Sequence, residues 1–165
     1  MIKTSLDDAE LTAGLARIKA HVTDMSDLMQ DLGELLTDST KSRFAEGAAP
    51  DGTPWAPKSQ TTIDGYQQRE KKARVDFRPL FGPTGRLSSE VFYQAGTTSM
   101  EIGSALIYSA VQQFGAGKGQ FGTAANGSSI PWGDIPARPF IGLSDEERAN
   151  VNAEILEYLA RITAA

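Results

Sequence analysis

The sequence predicts an α+β fold: a small antiparallel sheet with a long N-terminal helix and an amphipathic C-terminal helix packed on it. Three observations predict it. Leu11, Leu15, Ile18, Val22, Met25, Met29, Leu32 and Leu36 recur at alternating spacings of four and three, a single apolar seam on a helix. Val91-Phe92-Tyr93 and Met100-Glu101-Ile102 flank the turn Gly96-Thr97-Thr98, which reads as a hairpin. Val151, Ile155, Leu156, Leu159 and Ile162 then give a second helical stripe. At 165 residues, 40% apolar and 22% charged, the chain is one domain's worth and can bury a core without staples.

The long helix is expected over residues 1–46. Ser5 with Asp8 gives its start and Gly47 its stop, for a reach of roughly 55–60 Å at about 1.5 Å per residue. Gly14 and Gly33 weaken it, and residues 24–27 are a candidate break. Such a seam either packs on the sheet or also meets a neighbouring subunit. Residues 47–59, with three prolines, two glycines and the lone Trp55, form a stiff loop. Residues 60–78 are polar, with a short helix expected around 66–74. Their charges, Arg69, Glu70, Lys71, Lys72, Arg74, Asp76 and Arg78, are mixed in sign. That mixture suits a solvated face better than a phosphate-tracking patch.

Residues 81–87 form a punctuated turn, and residues 108–114 a two-turn helix closed by Gly115 in a left-handed conformation. Residues 115–134 hold six glycines and read as a long flexible loop within the single domain. Pro136 and Pro139 then hold an arm extended and remove two amide donors. That arm delivers one cation, Arg138, and one aromatic, Phe140, to a fixed place. Phe140-Ile141 is expected as a last edge strand. Ser144-Asp145-Glu146-Glu147 reads as a capping box opening the C-terminal helix.

Composition removes most chemistries. There is no cysteine, hence no disulfide, thiolate metal site or thiol nucleophile. His21 is the single histidine and sits in the long helix, without H-E-x-x-H spacing or a G-x-S-x-G elbow beside it. Gly117-Lys118-Gly119-Gln120-Phe121-Gly122 matches G-x-G-x-x-G by letter, but it follows a helix and runs into another loop, the wrong setting for a pyrophosphate. The acid pairs Asp7/Asp8 and Glu146/Glu147 sit at helix starts, where they favour the macrodipole. No cofactor, metal or catalytic residue is expected. The N-terminus turns acidic without an apolar run, so neither a signal peptide nor a membrane span is expected.

The net charge is −5. Residues 1–50 carry nine acidic against five basic side chains, whereas residues 51–80 carry six basic against four acidic. Such a surface repels duplex DNA rather than gripping it. What remains is a set of contact anchors: Trp55, Arg86, Phe114, Arg138 and Phe140, drawn from residue types that dominate interface energetics or bury much area. Trp55 either covers the core or meets another subunit. Phe140 is either core or interface. Arg138 reaches either another chain or the acids of the C-terminal helix.

In order along the chain, Arg43-Phe44, Asp51-Gly52-Thr53-Pro54-Trp55-Ala56-Pro57, Thr84-Gly85-Arg86-Leu87, Ile102-Gly103, Tyr108-Ser109-Ala110-Val111-Gln112-Gln113-Phe114-Gly115 and Ile135-Pro136-Ala137-Arg138-Pro139-Phe140-Ile141-Gly142-Leu143 form a series. That series resembles the virion-morphogenesis (tail-completion) family of Mu-like tailed phages, over about residues 40–160. The family often has His where Gln112 stands, and a longer polar tract after the tryptophan loop. The resemblance implies a tail-completion-like structural subunit without catalysis. It further implies a homo-oligomeric, hexameric ring at the head–tail junction, meeting head connector or neck proteins and the tail tube protein. Genomic DNA would pass through its lumen without sequence-specific binding. The implied location is the virion, after assembly in the host cytoplasm. A non-virion assembly factor and a head-side joining protein are the alternative readings.

Overall fold

A computed structural model describes residues 8–69, 76–82 and 84–164. The order of elements is α1 (Ala9–Thr23), α2 (Ser26–Glu46), α3 (Gln60–Arg69), α4 (Arg86–Ser89), β1 (Val91–Ala95), β2 (Met100–Ser104), α5 (Ser109–Phe114) and α6 (Asp145–Ala164). The fold is α+β.

The long helix is two helices. Asp24 leaves the helical region (φ −130°, ψ 100°), and its carboxylate accepts the Ser26 N–H (3.1 Å) and Ser26 hydroxyl (2.5 Å), which restarts the chain as α2. The Met25 N–H donates to Thr97 O at the tip of the hairpin (2.8 Å), so the break is also a tie to the sheet. Two non-helical residues change the phase of the seam. Beyond them Leu28 and Leu32 are buried while Met29 is half-buried, and α1 buries none of its residues. Gly47 ends α2 in the left-handed region (φ 74°).

Gly33 proves to be a requirement of packing rather than a weakness. A Cβ there would lie 2.2 Å from Tyr93 Cδ2, so only glycine lets β1 lie this close to α2. The hairpin pairs Val91 with Ser104 through Ala95 with Met100, and the Gly96 N–H donates to Ser99 O (2.8 Å) across the turn. Val91 is buried and Tyr93 and Ala95 half-buried on one face, whereas Phe92, Gln94 and Glu101 are exposed on the other.

Two apolar clusters result. Phe44, Ala49, Trp55, Leu80, Leu87, Val91, Leu106 and Phe140 make the first. Leu28, Leu32, Tyr158 and Ile162 make the second, where α6 lies on α2. The capping box of α6 forms in both directions: the Glu147 N–H donates to Ser144 Oγ (3.1 Å) and the Ser144 N–H to Glu147 Oε2 (2.6 Å). The same carboxylate takes the Ser39 hydroxyl and the Arg43 guanidinium of α2, a buried ion pair that fixes α6 to the domain.

Three expectations need correcting. Helix α3 spans Gln60–Arg69 rather than 66–74, and residues 70–74 of that expectation lie outside the described residues. Leu156 and Leu159 of the C-terminal stripe are exposed, and Tyr158 takes the buried position between them. Phe140-Ile141 is not a strand, because a side chain does the pairing: Gln113 Oε1 accepts the Phe140 N–H (2.9 Å) and Ile141 N–H (3.1 Å), and Gln113 Nε2 donates to Ile141 O (2.9 Å).

Candidate functional site

The proline arm is built from the inside. Its extended backbone turns Arg138 inward, to 7% exposure. There Nε donates to Ala56 O (2.7 Å), Nη2 to Pro57 O (2.9 Å) and Nη1 to Gln112 Oε1 (3.4 Å). Burial pulls the Arg138 pKa below its usual value. The acids of α6 are not its partners, since Glu147 takes Arg43 instead. Trp55 Nε1 donates to Pro139 O (2.8 Å), and its ring meets Phe44 edge-on with centroids 5.5 Å apart. Phe140, 1% exposed, stands 5.5 Å from the same Phe44 ring, and Arg43 Nη1 donates to Phe140 O (3.0 Å).

The five sequence candidates therefore separate. Trp55, Arg138 and Phe140 come together in the interior, where they lock the arm to α2, α5 and the tryptophan loop. Their side chains are engaged within the subunit, which corrects the reading of these three as anchors for another chain. Arg86 is exposed and pairs with Glu90 one turn later (2.5 Å). Phe114 is 78% exposed at the end of α5 and stays available for contact.

Sequence reasoning missed the company Phe114 keeps. Ile107 is 96% exposed, and Tyr108, Phe121, Ile130 and Trp132 are exposed too. Between residues 107 and 133 the single charged side chain is Lys118, in a chain that is 22% charged. Large apolar side chains placed among glycines, in a segment without core periodicity, are the signal that marks this stretch.

The glycine-rich residues form an ordered excursion. Gly115 turns out of α5 with φ 75° and ψ 178°, a positive φ but an extended ψ, and a Cβ there would lie 2.8 Å from Ala137 N and Ile135 O. Ala116 and Ile135 exchange N–H···O bonds (2.9 and 2.8 Å). Further out, the Phe121 N–H donates to Ile130 O and the Ile130 N–H to Gly122 O (both 2.8 Å). The Ala124 N–H then donates to Ser128 O (2.8 Å) near the tip.

Beside the base of this excursion lies a groove of about 780 Å³, lined among others by Lys58, Tyr66, Tyr108, Gln112, Trp132 and Arg138. Lys58 Nζ donates to the carbonyls of Asp76 and Phe81. Burial lowers the Lys58 pKa, against the opposing field of Asp76. Among the described residues the groove's lining carries the cations Lys58, Arg86 and Arg138, the rings of Tyr66, Tyr108 and Trp132, and the carboxylate Asp134. Among the described residues no group of His, Cys, Asp or Glu is placed to hold a metal ion, and no helix is long and apolar enough to cross a membrane. The arrangement suits contact.

The family model described as the phage virion morphogenesis family matches residues 6–160. The chain is 31% identical over 140 residues to the tail completion protein S of Escherichia phage P2, covering 81% of this chain and 83% of that protein. No solved structure matches it. A family match over residues 6–160, nearly the whole length, settles the family: the chain belongs to the phage virion morphogenesis family.

Proposed function

We propose that this protein is a structural subunit that completes the phage tail, a ring-forming tail-completion or tail-terminator subunit at the head–tail junction, with no catalysis. The carrying observation is the stretch over residues 107–132, α5 and the excursion after it: five exposed aromatic or aliphatic side chains besides Phe114, and one charge, on a chain otherwise rich in acids. Large apolar side chains exposed in this number, with so little charge among them, mark a protein contact. Phe114 and Trp132 belong to the classes that anchor such contacts. The similarity to a tail completion protein supplies the setting.

In this reading the chain acts as one domain and forms a homo-oligomeric ring. One face meets the head connector or neck proteins and the other the tail tube, and DNA passes the acidic surface without sequence-specific binding. Like charge keeps the DNA mobile. The protein is then part of the virion, at the tail or neck. The test is its presence, in several copies, in purified particles and isolated tails. Absence from particles whose assembly requires it identifies an assembly factor and overturns the structural role.

A further inference from the structure

Helix α1 buries none of its residues. It rests on α6, where the Tyr158 hydroxyl donates to His21 O (3.0 Å). A helix of 15 residues is marginal in water without a packed apolar face. Yet the seam of this one is turned outward. Leu11 and Leu15 are more than half exposed, Val22 is exposed and Ile18 is half-buried. Beyond the break at Asp24 the seam finds a cover, with Leu28 and Leu32 buried under α6. The α1 half of the seam lacks one.

Two features of α1 select what covers it. The first is spacing. Leu11, Leu15, Ile18 and Val22 are separated by four, three and four, which reads the same from either end. An inverted copy therefore sets Leu11 beside Val22 of the second copy and Leu15 beside its Ile18, in layers that run the length of the helix. The second feature is charge. Asp8 and Glu10 stand at the N-terminal end, and Arg17 and Lys19 in the C-terminal half. Glu10 and Lys19 are exposed and enter no ion pair among the described residues. That order suits the helix's own dipole. An antiparallel copy also brings each acidic end to a basic half, whereas a parallel copy sets like charges side by side.

We propose that α1 pairs antiparallel, seam to seam, with α1 of a second copy of this chain. The contact is isologous and closes on two subunits by itself. It uses neither the groove nor the stretch 107–132, so it goes beyond the ring-subunit reading and stands whether or not a ring forms.

The chain has no cysteine, so one introduced thiol reports its neighbour without ambiguity. The full-length Leu11→Cys and Val22→Cys proteins are oxidised separately and as an equal mixture. An antiparallel pair places the two positions together, and the mixture alone is expected to give a disulfide dimer. Disulfide dimers from each protein alone, as a parallel pair would give, or none in the mixture, overturn the proposal. Sedimentation equilibrium is the second measurement, because it leaves the seam unshortened. It is run on Phe114→Ser/Trp132→Ser as the parent, so that association through 107–132 does not mask the pair. The parent is expected to dimerise, and adding Leu11→Glu/Leu15→Glu to raise the dissociation constant by about tenfold or more. Glu keeps a helix propensity close to that of Leu and neither leucine is buried, so circular dichroism should show the fold retained. A parent that is monomeric, or a Glu variant that dimerises as its parent does, overturns the pair. So does a monomeric wild type in which Leu11→Glu/Leu15→Glu alone abolishes complementation of a tail-completion-defective phage, which assigns the seam to another virion protein.

Discussion

The proline arm at 135–144 and the glycine-rich excursion at 115–134 are neighbours in sequence and equally devoid of regular structure, yet they do opposite work. In the arm, Arg138 turns inward and donates hydrogen bonds to the tryptophan loop and α5, and Phe140 packs on the Phe44 ring of α2. In the excursion the backbone pairs with itself, and Phe121, Ile130 and Trp132 face solvent. The difference lies in where hydrogen bonds are found. An arm with two prolines has few donors and borrows partners from Gln113, Trp55 and Arg43. A glycine-rich excursion that folds back on itself pairs much of its own backbone and leaves Phe121, Ile130 and Trp132 exposed. Irregular segments thus divide into one that closes the subunit and one that offers a surface.

The contrast can be broken at the arm first. Phe140→Ala should cost about 3–5 kcal/mol, since a fully buried ring is lost from the first cluster, and denaturant unfolding would show it. Arg43→Ala should cost nearly as much, about 3 kcal/mol, by leaving Glu147 buried without its cation.

Glu147 also sets an acid limit. Burial alone would raise its pKa, but bonds from Ser39 and Ser144 and the field of Arg43 outweigh it and hold the group below the usual glutamate range. A carboxylate depressed in the folded state adds stability that is full above its unfolded pKa and is lost as pH falls through the folded one. Unfolding measured from neutral pH down through the carboxylate range should therefore show a decline that Glu147→Gln flattens. Gln113→Ala should cost about 1–3 kcal/mol, because the Phe140 and Ile141 N–H groups lose their acceptor. At the end of α5, where the excursion begins, Phe114→Ser should change stability by less than about 0.5 kcal/mol, as expected of a surface site, in the same unfolding assay.

Much of this was legible in the residues, and the failures share a cause. The hairpin, the stop at Gly47 and the capping box follow from local rules, and each formed as read. The phase of the seam beyond Asp24 was not legible, because the break is held partly by Thr97, more than seventy residues away. Gly33 reads as a helix weakness until Tyr93 is laid against it. Arg138 and Trp55 look like contact residues because their types suit interfaces. Only the fold shows that the Ala56, Pro57 and Pro139 carbonyls already hold them. The apolar residues at 107–132 lack periodicity, and exposure is a property of the tertiary structure alone.

The central claim is that the arm folds the subunit and the excursion assembles it. The most direct measurement is on Phe114→Ser/Trp132→Ser, comparing its thermal unfolding with its ability to support completed tails in a phage lacking the wild-type protein. The account predicts a melting temperature within a few degrees of wild type and no completed tails. Normal tails from this variant would contradict it.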